Sequence, residues 1–196
     1  MTKEENRNFM KQFFEKYYEQ QRAVNETSVA GVKIPEEMVA YELTSSKGWA
    51  VWKLIPSTVT DEDFKEIEDN WNIKFPDCIK AFFGTYHHSF DDLLGRNRIG
   101  KSFETLEFAY NPHLTANGYL PFGWDRDNYC IRCIDLSNAP DDERCPVVQI
   151  DHEILFYLGD EYEDEIIPKV KIEQNIEPVA DNIYDYLNAI LNGEVE

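Results

Sequence analysis

The residues best suited to chemistry in this sequence are four cysteines, four histidines and a large excess of carboxylates. Cys130 and Cys133 form C-x-x-C, a spacing shared by zinc sites and dithiol redox centres, with Cys78 and Cys145 elsewhere. A structural zinc site needs a second matching pair, which is missing. A thioredoxin-like pair opens a helix, whereas NYCIRCIDL reads as a strand, on which residues three apart point to opposite faces. Four buried or half-buried free thiols are expected instead. His87 and His88 adjoin a helix end, where the dipole favours a positive ring, and are expected to be structural. His152 has Asp151 and Glu153 beside it but needs a third group for metal or acid–base work. Asp125, Asp127 and Asn128 resemble the start of a calcium loop, without its glycine at the sixth position and with Leu136 where the bidentate glutamate belongs. There is no P-loop, dinucleotide fingerprint or nucleophile elbow. No catalytic residue, metal ligand or cofactor is assigned, and the chain is expected not to be an enzyme.

Charge narrows the partners. The chain has 196 residues, with Lys+Arg 19 against Asp+Glu 38 and a net charge of −19. Phosphate backbones and anionic membranes recruit Lys and Arg, so neither nucleic acid nor a membrane surface is an expected partner. The acidity is uneven: the 73 residues from Trp124 to Glu196 hold 19 acidic and 5 basic side chains. The aromatic content of 14% argues for a folded chain. No apolar run approaches a membrane span, and MTKEENRNFM is unlike a signal peptide, so a cytoplasmic location is expected.

The elements that must position these residues follow from periodicity. Thr2 to about Asn25 predicts an amphipathic helix, docked on its own domain or on a partner, with Phe9, Met10, Phe13, Phe14, Tyr17 and Tyr18 on one face. A joining segment runs to residue 47, with a short edge element around Pro35. GWAVWKLIPS predicts a strand, with Trp49, Trp52 and later Trp71 in the core. Thr60 caps a helix through Phe64, Ile67 and Trp71, and Pro76 opens another through Ile79, Phe82, Phe83 and Tyr86. SFETLEFAY, GYLPFGW, NYCIRCIDL, CPVVQID and EILFYLG predict five short strands in one mainly antiparallel sheet. DEYEDEIIPKVKIEQNIEP predicts an exposed acidic loop or edge, and a last helix spans about Ala180 to Leu191. The expected division is an N-terminal part, 1–47, and a domain, 48–196.

The stretches WKLIPSTVTDEDFKEIEDNWNIKFPDCIKAFF, YLPFGWDRDNYCIRCIDLS and CPVVQIDHE, in this order and spacing, resemble the SUKH superfamily, the Smi/Knr-type domain. The matching positions are Trp52, Pro56, Glu68, Pro76, Phe82, Pro121, Phe122, Gly123, Asp125, Asp135 and Asp151. The resemblance covers about Gly48 to Leu191. It implies an α+β single domain, with helices packed on a twisted mixed, mostly antiparallel sheet, extended here by the N-terminal amphipathic helix. It further implies a bacterial immunity protein without catalytic residues or cofactor, one that binds the C-terminal domain of a cognate toxin. The alternative it leaves open is a regulatory adaptor, as among fungal cell-wall-synthesis regulators. A basic nuclease-type toxin would suit the acidic C-terminal half. The expected partner-binding residues are Trp124, Asp125 and Asp127, the run Asp141, Asp142 and Glu143, and the tract Asp160, Glu161, Tyr162, Glu163, Asp164 and Glu165. Tyr157 is a further candidate anchor.

Overall fold

Helix α1 (Lys3–Ala23) begins at a capping box: the Glu5 amide donates to the Thr2 hydroxyl and the Thr2 amide donates to the Glu5 carboxylate. Its apolar stripe is then pressed into the chain's own core, where Met10, Phe13, Phe14 and Tyr17 are all buried. The computed structural model describes the chain except residues 25–26, 31–32, 44–46, 138–143, 164 and 195–196. Strands β1 (Ser28–Ala30), β2 (Val39–Glu42) and β3 (Trp49–Trp52) form an antiparallel sheet in the order β1-β3-β2, with a 3-10 turn, Glu36–Met38, leading into β2. Trp52 is buried as expected. Trp49, expected in the core, is 47% exposed: it starts the strand, at the end of the small sheet, on the face away from Trp52 and Ala50.

Strands β4 (Ile55–Pro56) and β5 (Tyr86–His87) pair across the helical hairpin α2 (Asp61–Trp71) and α3 (Asp77–Thr85). A second capping box, Thr60 with Asp63, starts α2. Asn72 at φ 53° ends it. Glu68, buried on α2, then ties the turn together: its carboxylate accepts from the Phe75 amide at 2.8 Å and pairs with Lys80 at 3.0 Å and Lys74 at 3.2 Å. Burial pushes its pKa up, but the Phe75 amide and the two ammonium groups outweigh that and hold it below the ordinary carboxylate value.

Short helices α4 (Glu104–Ala109) and α5 (Pro112–Ala116) lead into a four-stranded antiparallel sheet, order β6-β7-β8-β9: β6 Tyr119–Trp124, β7 Cys130–Asp135, β8 Val147–Asp151 and β9 Glu177–Ala180. Helices α6 (His152–Tyr162) and α7 (Lys169–Glu173) sit between β8 and β9, and α8 (Ile183–Asn192) closes the chain against α1 and β9. The sheet is covered on both sides. Leu120, Phe122, Ile134 and Val147 join the main core under α1, α3 and α8, while Tyr119, Cys133, Val148 and Ile150 join a smaller core with Leu155, Ile167 and Ile172. The architecture is α+β, as the resemblance implies.

Two of the five expected strands are helices. SFETLEFAY holds α4, because Phe103 and Leu106, three apart, are the buried pair and Phe108 is 90% exposed. EILFYLG lies in α6, where Asp151 caps the helix through the Glu153 and Ile154 amides and Leu155 and Leu158 turn inward. The tract expected as an exposed loop or edge buries Ile167 and Ile172 completely, and its end opens β9, an edge strand of the sheet. The cysteines also differ from expectation: Cys78 on α3 and Cys145 ahead of β8 pair as a disulfide within the main core, leaving Cys130 and Cys133 free.

His88 stands at the centre of the main core, completely buried, its ring 4.8 Å from Phe14, 5.5 Å from Phe82 and 5.4 Å from Phe90. Neither ring nitrogen has a hydrogen-bond partner among the described residues. Desolvation, with a smaller push from His87, lowers its pKa from 6.5 to about 3. His87, which accepts from the Thr58 amide at 2.9 Å and contacts the Asn97 carbonyl, is lowered too, by burial. The positive ring expected at this helix end is therefore disfavoured, because dehydration outweighs the dipole.

Glu68→Ala is expected to cost about 2–4 kcal/mol in urea unfolding, since the Phe75 amide is left buried without its acceptor, while Lys74→Ala costs less than about 1 kcal/mol. For His88 the folded pKa lies below the unfolded one, so its contribution is complete above about pH 6.5 and is lost progressively as pH falls toward about 3. His88→Leu is expected to flatten the loss of stability between about pH 6.5 and 5, above the range where carboxylates titrate; parallel losses in the two chains would show that the imidazole is not the sensor.

Candidate protein-binding surface

The end of the β6–β7 hairpin is built by Asp125. Its carboxylate oxygen accepts from the Tyr129 amide at 2.6 Å and the Cys130 amide at 3.0 Å, while its own amide donates to the Cys130 carbonyl. Asn128 takes the left-handed conformation at φ 56° that closes the turn. Trp124, 45% exposed, and Tyr129, 46% exposed, stand on the two sides of this turn. Asp127 is exposed at its tip.

Helix α6 is fastened to the hairpin at its first residue. The His152 amide and its Nδ1 both reach the Tyr129 carbonyl, at 3.2 and 2.7 Å. The His152 ring lies 5.5 Å from Trp124 and 5.4 Å from Tyr129. One turn on, Phe156 and Tyr157 project outward, 65% and 68% exposed, with ring centroids 6.1 Å apart. The Tyr129 hydroxyl is 3.5 Å from Glu153, and the negative charges of Asp151 and Glu153 raise its pKa. Two ring groups, Trp124 and Tyr129 around His152 and Phe156 beside Tyr157, thus stand one helical turn apart and form an aromatic strip edged by carboxylates. Residues 124–130 and 151–161 together carry six acidic side chains and a single basic one, Arg126.

The expected binding residues divide into several groups here. Trp124 and Asp127 are exposed on the hairpin. Asp125 is held inside the turn, its carboxylate used by backbone amides. Asp160 and Glu161 are exposed on the last turn of α6, about 12 Å along the helix axis from His152. Tyr162 is half-buried against the smaller core, and Glu163 and Glu165 are exposed just beyond the helix. Asp141, Asp142, Glu143 and Asp164 lie outside the described residues. The sequence reading omits Tyr129 and Phe156 and considers His152 and Glu153 for metal or acid–base work only. The signal was there: an aspartate cap followed by leucines three apart turns the intervening Phe156 and Tyr157 to solvent.

Beside Trp124 a cleft of about 290 Å³ opens between α1, β6, β7 and α8, lined by Tyr17, Asp92, Phe122, Arg132 and Tyr186. The Arg132 guanidinium donates to the Tyr186 hydroxyl at 3.3 Å, and Tyr17 donates to Asp92. Cys130 and Cys133 stand on opposite faces of β7, as the alternation requires, and burial raises both thiol pKa values. Among the described residues, no three His, Cys, Asp or Glu side chains are placed to hold a metal ion, and no helix is long and apolar enough to cross a membrane.

Because Asp125 satisfies two turn amides and Asp127 none, Asp125→Ala is expected to cost about 1–2 kcal/mol and Asp127→Ala less than about 0.5 kcal/mol. Thermal unfolding of the two variants checks this, and equal shifts would refute the structural role.

A family model described as the SMI1 / KNR4 family (SUKH-1) matches residues 58–189. Searches of curated proteins and of solved structures return no match. The matched span opens just ahead of the Thr60 cap, takes in the Glu68 turn, the hairpin and the whole of α6, and ends within α8. Since it covers two thirds of the chain and every element of the four-stranded sheet, the chain belongs to the SMI1/KNR4 (SUKH-1) family.

Proposed function

We propose that the chain is a non-enzymatic immunity protein that binds a cognate toxin domain, of basic nuclease type, and neutralises it in the bacterial cytoplasm. The observation that supports this reading is the exposed strip of carboxylates and aromatic rings along the hairpin and α6, in a member of the SUKH-1 family. A toxin that cleaves nucleic acid must present cations to phosphates. A surface with four exposed carboxylates, Asp127, Glu153, Asp160 and Glu161, competes for the same cations and excludes the substrate by occupying its site. The net charge of −19 adds long-range steering, which speeds encounter with a basic partner.

The test is titration of the purified chain against the C-terminal domain of a toxin-like protein encoded beside it, paired with rescue of cells expressing that domain. One-to-one binding with rescue is expected. Association is expected to slow about tenfold or more between about 0.05 and 0.5 M salt. Reversing Asp160, Glu161 and Glu163 to lysine is expected to slow association at low salt. A folded chain that neither binds nor rescues against an active toxin would reject the reading.

A further inference from the structure

We infer that Trp124, Tyr129, Phe156 and Tyr157 are the anchoring platform of this interface, and that they receive arginine side chains of a basic protein partner. The inference rests on the reading above and names the surface and the chemistry it accepts.

Exposure is the first argument. Phe156 and Tyr157 are adjacent on a helix whose other side is committed to the smaller core through Leu155 and Leu158, so their outward position is set by packing and cannot be relieved by rotating the helix. Trp124 and Tyr129 flank the His152 ring, which stands one turn before Phe156 on the same helix. Scattered exposed apolar side chains are ordinary, but two groups of large exposed rings one helical turn apart mark an interaction surface.

Rigidity is the second. Asp151 caps α6, Asp125 pins the hairpin, and His152 joins the two by contacts to the Tyr129 carbonyl. The backbone that carries the rings is therefore set before binding, which lowers the ordering cost of an aromatic anchor.

Charge selects the occupant. Carboxylates of Asp127, Glu153, Asp160 and Glu161 edge the strip. A second copy of this chain would bring like charge to like, and nucleic acid and anionic membranes are repelled for the same reason. A cationic protein surface is attracted. Arginine suits the strip better than lysine: its flat guanidinium stacks on a ring while its edge donates to a carboxylate, whereas an ammonium is more strongly hydrated and has no flat face. The rings then govern dissociation, and the carboxylates govern association.

The probe is the neighbouring toxin's C-terminal domain, measured by surface-based kinetics with three variants of the full chain. Phe156→Ala with Tyr157→Ala removes two solvent-facing rings, so the fold is retained, and binding is expected to weaken about 100-fold, chiefly through faster dissociation. Asp160→Asn with Glu161→Gln is expected to slow association a few-fold at low salt, an effect that fades as salt rises. Phe108→Ala, a more exposed ring on α4 outside the strip, is expected to change nothing. Hydrogen exchange of the complex is expected to show protection at 124–130 and 152–161. If the parent chain binds tightly and the Phe156/Tyr157 double variant binds within about threefold of it, the platform is wrong while the immunity reading stands. Failure of the parent chain itself to bind and rescue removes both.

Discussion

A neutral imidazole in a box of aromatic rings holds the main core together. His88 meets Phe14 of α1, Phe82 of α3 and Phe90, and Phe90 in turn packs on Trp52 of β3 and Tyr17 of α1. Three stretches far apart in sequence, α1, β3 and residues 82–90, meet in this cluster, and the N-terminal helix, which precedes the family-matched span, is locked in by the same contacts. The charged ring would be stranded without water or a counter-ion, so the fold and the proton compete for this site. Core strength and acid sensitivity have one origin.

What depends on that core is the position of the four-stranded sheet. Leu120, Phe122, Ile134 and Val147 seat one face of it on the aromatic cluster, which leaves the opposite face to the smaller core. Leu155 docks there and fixes the rotation of α6, and Asp151, at the end of β8, fixes where the helix begins. Once both are set, Phe156 and Tyr157 are turned outward and left mostly exposed. The exposed strip is thus a consequence of packing two layers below it.

Legibility in the sequence followed locality. Helices α1 and α2 announce themselves through a hydroxyl cap, an acid three residues on and a stripe with helical period, all within a short stretch. The α6 stretch predicts a strand because Ile154 to Leu158 is an unbroken apolar run, which periodicity alone does not divide between strand and helix; the decision lies in the Asp151 cap. Trp49 shows the limit of hydrophobicity as a guide to burial, since its place at the head of a short strand outweighs its size. The Cys78–Cys145 pair, 67 residues apart, and the convergence on His88 are properties of the fold in three dimensions and leave no local trace. In the candidate site, Trp124 and the α6 carboxylates were legible as exposed-type residues, whereas the consumption of Asp125 by its own turn depends on which amides the backbone turns toward it.

The division of labour between core and strip bears on how such a domain can change partner. Residues that determine the fold, among them Trp52, Glu68, Phe82 and His88, are buried and coupled to many neighbours, so substitution there disturbs stability before it reaches recognition. Asp127, Glu153, Phe156, Tyr157, Asp160 and Glu161 lie outside either buried core, and most substitutions at them carry little cost to folding. Asp125, Asp151 and His152 stand between the two groups: they hold the hairpin and α6 in register and so must persist whatever the exposed rings become. A scaffold arranged in this way keeps its frame rigid while leaving the chemistry of the strip open to variation, which is the physical condition for one fold to serve many partners.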